Sequence, residues 1–333
     1  MHPQLTRRTL LAGLGTLALG GCTGDPFGPR HRLPPVPSDG SPVPLPTPSV
    51  TVTAATGPVT VPGGATRVVA LDTAELDSAM TLGITPVGAA KSALDSGLPG
   101  YWPASRLDAV AVVGDIGAEP DPYAIRAVRP HLILGNQTRD GAHHDLLQRL
   151  APTVLTSGTG HPWKDNFRLH AAALSRTEQA EAVVTAYERH VAQTVRAIAD
   201  AGSAGRRISI LRFVDGTPGP ASIRLYGRQN FIGTLLDDLG LGRPDPQNTD
   251  RPDTEITPAQ IGQADGGDYL FYATYGDPEK AGTAAVLAGE AWKALGAVRA
   301  HRAFPVDDQL WFQGIGYTGA NLVLAELQRA LGG

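Results

Sequence analysis

The sequence predicts an α/β protein of two lobes, each built on a parallel central sheet, joined by one long rigid helix. Three observations lead there. The run 163–201 holds neither glycine nor proline, in a chain of 333 residues with 40 Gly and 28 Pro. Short apolar runs alternate with helical patterns on both sides of it, the order that produces parallel sheets. A chain of this length, with 42% apolar residues, is enough for two domains with sizeable cores. Within the run, Ser175-Arg176-Thr177-Glu178 reads S-x-x-E, a capping box that would start a helix at Arg176. Ala180, Val183, Tyr187, Val191, Val195 and Ile198 then recur at three and four residues on one helical face. Gly202 supplies the stop. A helix over 176–201 spans roughly 39 Å at 1.5 Å per residue, the depth of a domain. A surface helix of one large domain is the plainer alternative.

Composition excludes several classes. A net charge of −4 offers no basic surface for nucleic acid. The single cysteine, Cys22, permits no disulfide within the chain. No run of about 20 apolar residues is present to cross a membrane as a helix.

The N-terminus reads as an address over 1–21. Thr6-Arg7-Arg8-Thr9-Leu10-Leu11 looks like a twin-arginine export signal, although Sec signals also carry arginines. The apolar stretch 10–19 is short and diluted by Gly13, Gly15 and Thr16. Leu19-Gly20-Gly21-Cys22 resembles the lipobox of bacterial lipoproteins, so lipidation of Cys22 and anchoring at the extracytoplasmic face of the cell membrane are expected. Residues 23–65 hold eleven prolines. With Cys22 they read as a tether over 22–65, with no core residue before Thr66.

The first lobe covers 66–174. Strands are expected at 67–71, 85–89, 130–134 and 153–155, with Asp72 or Thr73 capping a helix after the first. Residues 91–107 form a long loop carrying Tyr101 and Trp102; 120–128 and 140–150 are helical. The linking helix takes 175–202 and the second lobe 203–333. Its strands are expected at 208–213, 222–226, 269–272 and 304–307, with Asn230 capping a helix over 231–239 and a closing helix ending near Leu331. Residues 244–253 and 308–316 read as loops. In parallel sheets ligands lie beyond the carboxyl ends of strands, which singles out Asp72, Thr73, Arg139 and His161 in the first lobe, along with Trp163.

Four stretches carry a resemblance: Arg67-Val-Val-Ala-Leu-Asp-Thr-Ala-Glu-Leu-Asp77, Ile223-Arg-Leu-Tyr-Gly-Arg-Gln-Asn-Phe-Ile-Gly233, Tyr272-Ala-Thr-Tyr-Gly-Asp277 and Trp311-Phe-Gln-Gly-Ile-Gly316. In order and spacing they resemble the iron–siderophore-binding lipoproteins of bacterial ABC importers. The resemblance implies two α/β lobes bridged by one helix, a ligand cleft between them, little hinge motion, a monomer and no enzymatic activity. It implies a ferric siderophore as the transported ligand, no intrinsic cofactor, and importer membrane subunits as partners. Haem, cobalamin or a metal ion bound directly are the alternatives within that fold. Such a chelate needs arginines for its oxygens and aromatic rings for its apolar flanks. The resemblance places Arg139, Arg212 and Trp311 at the cleft; Tyr226, Tyr275, Trp163, Tyr101 and Trp102 join them as ring candidates. Arg224 and Arg228 read as solvated. The modest number of arginines after strands favours a hydroxamate siderophore over a triply charged catecholate.

A departure concerns docking. In the family each lobe presents a glutamate to the importer. Here Tyr123 and Ala259 stand in those places, so neighbours are expected to serve, Glu119 or Asp121 on the first lobe and Asp253 or Glu255 on the second, with Asp121 and Glu255 taken as the docking pair. Gly314-Ile-Gly-Tyr-Thr-Gly319 fits G-x-G-x-x-G, the basis of a contrasting reading as a nucleotide-dependent oxidoreductase. Only 14 residues follow it, too few to complete a dinucleotide site. His143-His144 face different ways on a helix and suggest no metal site. No nucleophile motif is present, so no enzyme is proposed.

Overall fold

The computed structural model describes residues 48–217 and 219–332. The stretch expected to be a signal segment, Cys22 and the first part of the proline-rich stretch lie outside the described residues. The remainder of that stretch overturns an expectation. Strand β1 (Val50–Ala54) pairs antiparallel with β2 (Gly57–Val61). Val52, Ala54, Val59 and Val61 are buried, so the core begins well before Thr66. The cause is a period of two: valines and Ala54 alternate with Thr51, Thr53 and Thr60, which gives the hairpin one apolar face. Gly57, at φ 105, closes the turn in a conformation that suits glycine. Ala55 N donates to Leu155 O at 2.8 Å and fastens the hairpin to the first lobe.

The first lobe then runs β3 (Val68–Ala70), α1 (Thr73–Thr81), β4 (Gly88–Lys91), α2 (Ala104–Leu107), β5 (Ala111–Asp115), α3 (Pro122–Ala127), β6 (Leu132–Asn136), α4 (Gln137–Asp140), α5 (His144–Gln148) and β7 (Thr153–Thr156). Its sheet has the order β5-β4-β3-β6-β7, every neighbouring pair parallel. Central strands β3 and β6 are fully buried and largely apolar because helices cover both faces of the sheet. Edge strand β5 was not anticipated: Ala111 and Val112 are exposed and only Val113 is buried, so it lacks a strand's usual apolar signature. The loop expected over 91–107 ends in α2.

Helices α6 (Trp163–Ala173) and α7 (Thr177–Asp200) follow. The expected capping box is absent. Ser175 has φ 55; its N–H donates to Ala172 O, and Arg176 N–H to Ala171 O. These are the paired bonds of a left-handed helix stop, so Ser175 ends α6 and does not start α7. The linking helix itself is confirmed, 24 residues and roughly 36 Å long.

The second lobe contains β8 (Ile208–Val214), β9 (Ser222–Tyr226), α8 (Phe231–Asp238), β10 (Asp253–Ile256), β11 (Tyr269–Tyr275), α9 (Thr283–Ala288), α10 (Glu290–Lys293), α11 (Gly296–Arg299), β12 (Ala303–Pro305), α12 (Asp308–Trp311) and α13 (Tyr317–Leu331). Its sheet has the order β10-β9-β8-β11-β12. It is mixed, not parallel as expected: β9 runs antiparallel to both β8 and β10. The link from β8 to β9 is too short to carry a crossover helix, which a parallel pair requires.

Helix α7 ties the lobes through a common core. Tyr187 packs edge-on against Trp163 and Tyr317, and Trp163 against Phe231. The Tyr187 hydroxyl donates to Asp238 at 2.5 Å. Leu134 and Val154 of the first lobe share this apolar cluster with Ile208 and Phe271 of the second. Each large side chain so buried contributes about 1.5–3 kcal/mol, which holds the lobes at their base and leaves their other ends to form a cleft.

Candidate functional site

The carboxyl ends of the first lobe's strands face β8, β9, β11 and the turn after α12. Between them lies a cavity of about 260 Å³ whose polar and aromatic lining includes Asp72, Arg139, Arg212, Arg224, Tyr275 and Phe312. Asp72 follows β3 and caps α1, one oxygen accepting from Thr73 N at 2.7 Å. Its other oxygen accepts from Asn136 Nδ2 at 3.1 Å and forms an ion pair with Arg139. Behind this pair Glu75 and Asp140 are buried, and burial pushes both carboxyls up, Asp140 to about 6.

On the second lobe Arg212 makes a two-pronged ion pair with Asp308, Nε to Oδ1 and Nη2 to Oδ2 at 2.6 Å each. Its guanidinium carbon lies 4.3 Å from the Tyr275 ring centre and 5.2 Å from that of Phe312. Burial alone would lower its pKa, but Tyr226 and Asp308 raise it, so the charge is permanent. Arg224 stands opposite Arg212 in the β8–β9 ladder. Two contacts cross the mouth: Ser92 Oγ to Tyr275 Oη at 2.7 Å, and Gly100 N to Gln309 Oε1 at 2.8 Å.

Of the candidate residues, the structure brings Arg139, Arg212 and Tyr275 together on this cavity. Tyr226 lies beside them but packs behind, on Phe312, with ring centres 4.7 Å apart. The four remaining ring candidates lie away from the cleft. Trp311 is fully buried, stacked on Phe271, with Nε1 donating to Glu326 at 2.6 Å. Trp163 is in the interlobe core and donates to Thr234 Oγ1 at 2.8 Å. Trp102 is buried under Arg106, and the Tyr101 hydroxyl donates to Asp77 at 3.2 Å. Large rings near strand ends were excluded from the cleft because burying them stabilises the fold more than displaying them. Arg224 and Phe312 were missed. In Ser222-Ile223-Arg224-Leu225-Tyr226 the alternation shows that Arg224 faces away from Ile223 and Leu225, but only the pairing of strands shows what it faces.

The glycine fingerprint has a packing cause. A side chain at Gly316 would collide with the Asp77 carboxylate. That carboxylate accepts from Thr318 N and Gly319 N, both at 3.2 Å, at the start of α13. It holds the place a phosphate would need. Among the described residues no cluster of three metal-ligating side chains forms, and no helix is long and apolar enough to cross a membrane. Asp121 is exposed and caps α3, accepting from Tyr123 N and Ala124 N. Glu255 is exposed on edge strand β10, near Thr257, which opens a short 3₁₀ turn.

Comparison with known proteins fits this geometry. A family model described as Periplasmic binding protein matches residues 68–310. The probable siderophore-binding lipoprotein YfiY of Bacillus subtilis (strain 168) is 30% identical over 287 residues, which cover 80% of this chain and 83% of the relative. The crystal structure of Staphylococcus aureus SirA complexed with staphyloferrin B superposes with a TM-score of 0.74 at 24% identity, covering 84% of this chain and 98% of that one. The triscatecholate siderophore-binding protein FeuA from Bacillus subtilis, complexed with ferri-bacillibactin, superposes with a TM-score of 0.70 at 19% identity, covering 84% and 97%.

Proposed function

The chain belongs to the periplasmic binding protein family, and from that premise we propose that it captures a ferric siderophore outside the cytoplasm and delivers it to an ABC importer. The observation that carries this reading is the convergence of Arg139, Arg212 and Arg224 with Tyr275 and Phe312 from two lobes onto one cavity. Guanidiniums donate to the oxygens that surround a chelated ferric ion, and the rings cover its apolar flanks. The relative's name and the bound siderophores of the two solved neighbours support the same ligand class. Two of the three arginines are already paired with carboxylates, which favours a hydroxamate chelate, neutral at its iron centre, over a triply charged catecholate.

Anchoring through lipidated Cys22 and docking through Asp121 and Glu255 complete the proposal. Both acids are exposed, and each is worth only about 0–1 kcal/mol in an ion pair, so docking would be weak and reversible. The test pairs a binding titration with cellular iron uptake. Purified protein should bind ferric siderophore saturably and show no response to NAD. Cys22→Ser should release the protein from the membrane. Asp121→Ala with Glu255→Ala should lower uptake while affinity stays the same. Preference for haem or cobalamin over every ferric siderophore would overturn the ligand; undiminished uptake in the double variant would overturn the docking sites.

A further inference from the structure

The cleft contains three guanidiniums and two carboxylates that already serve two of them. Arg212 and Arg224 stand directly opposite one another on β8 and β9, a pairing of like charges that a strand ladder disfavours. Asp308 relieves half of it. Its pair with Arg212 is two-pronged, and both side chains are only 11% exposed, so little water weakens the attraction. Gln313 Nε2 donates to the same carboxylate at 2.9 Å and holds its orientation. Across the cavity Asp72 pairs with Arg139 through one oxygen, its position fixed by Thr73 N and Asn136 Nδ2. Arg224 differs. It lines the cavity, yet among the described residues no carboxylate lies within ion-pair distance of it. Even Glu255, its neighbour across the β9–β10 ladder, forms no such pair.

We propose, on the siderophore reading above, that Asp308 is a specificity-determining residue that sets the charge of the chelate the cleft accepts. With Arg212 neutralised by Asp308 and Arg139 by Asp72, one uncompensated positive charge remains, on Arg224. A chelate with no negative charge or one meets that site without displacing a carboxylate. A trianion must either lie against Asp72 and Asp308 or evict them from their arginines, and both alternatives cost binding energy. A neutral hydroxamate complex needs only N–H donors. Arg212 retains some, since its pair with Asp308 takes only Nε–H and one N–H of Nη2 among the five that a guanidinium carries. Selection thus works by exclusion: the native carboxylates stand where a polyanion's own charges would go.

The experiment compares a neutral ferric trihydroxamate with a trianionic ferric triscatecholate on the whole protein, as wild type, Asp308→Asn and Arg224→Gln. Wild type should prefer the trihydroxamate. Asp308→Asn should move the affinity ratio toward the triscatecholate by about tenfold or more, the scale of one unmasked charge. Should that variant fail to fold, Arg224→Gln carries the test, because its side chain has no partner to lose. It should weaken the triscatecholate more than the trihydroxamate. A wild type that prefers the trianion, an unmoved ratio in a folded Asp308→Asn, or equal losses in Arg224→Gln would each overturn the proposal while leaving siderophore capture intact. Binding of neither chelate to any of the three would overturn the capture reading, and this inference with it.

Discussion

Arg224 and His170 mark the two ends of what single residues disclose. Arg224 sits in an alternating strand, where the residue opposite the apolar face is ordinarily solvated; only its register with Arg212 brings it to a cleft. His170 lies in α6, fully buried, with neither ring nitrogen bonded. Burial lowers its pKa from 6.5 to about 3. Between those values the unfolded chain binds a proton that the folded protein does not, so stability rises with pH across that window and is lost as pH falls. Asp77 and Asp140 work in the opposite sense. Burial raises both from 3.8 to about 6, so the folded form holds the extra protons and stability falls as pH rises through that range. His170→Leu separates the two effects. Between pH 7 and pH 4 the variant should gain about 3 kcal/mol on the wild type in denaturant unfolding, at 1.36 kcal/mol per pKa unit. Parallel stability curves would mean that the histidine is charged or partnered in solution.

At the scale of elements, the strongly patterned ones were legible and the exceptions had local causes. The linking helix announced itself by apolar periodicity and by its lack of glycine and proline, and Asn230 caps α8 as expected. The S-x-x-E motif misled because the same serine closes the preceding helix, and a backbone at φ 55 cannot also cap the next. Strands β5 and β10 are short edge strands with little apolar content, so no periodicity disclosed them. The β1–β2 hairpin carried a clear period of two but sits in a proline-rich stretch whose composition suggested a tether. Its place in the core makes a firm expectation: Val61→Ala, at a fully buried position, should cost about 2 kcal/mol of stability. Siderophore affinity should be unchanged, since the hairpin does not reach the cleft. An unaltered melting temperature would show that the segment behaves as a tether after all.

On the scale of the whole molecule, two sheets share one apolar base, and their polar ends converge. The base was readable as helix and strand patterns; the cleft was only partly so. Arg139, Arg212 and Tyr275 were identified by their positions at or beyond strand ends, whereas the tryptophans were assigned to the cleft and belong to the core. The distinction depends on packing between elements distant in sequence, such as Trp311 on Phe271, which local patterns do not record. The central claim is that the ligand lies between the lobes against cleft guanidiniums. The Arg139 side chain is 36% exposed, its partner Asp72 keeps its bonds from Thr73 N and Asn136 Nδ2, and Arg224 has no ionic partner among the described residues, so the two can be changed with little harm to the core. The most direct measurement is the affinity of ferric siderophore for Arg139→Gln with Arg224→Gln, beside the melting temperature of the empty protein. Two lost charged hydrogen bonds, each about 1.5–3 kcal/mol, should weaken binding by about 100-fold or more while melting changes little. Wild-type affinity in the double variant would contradict the account and move the ligand elsewhere, for example to the recess of about 410 Å³ beside β12 and α13.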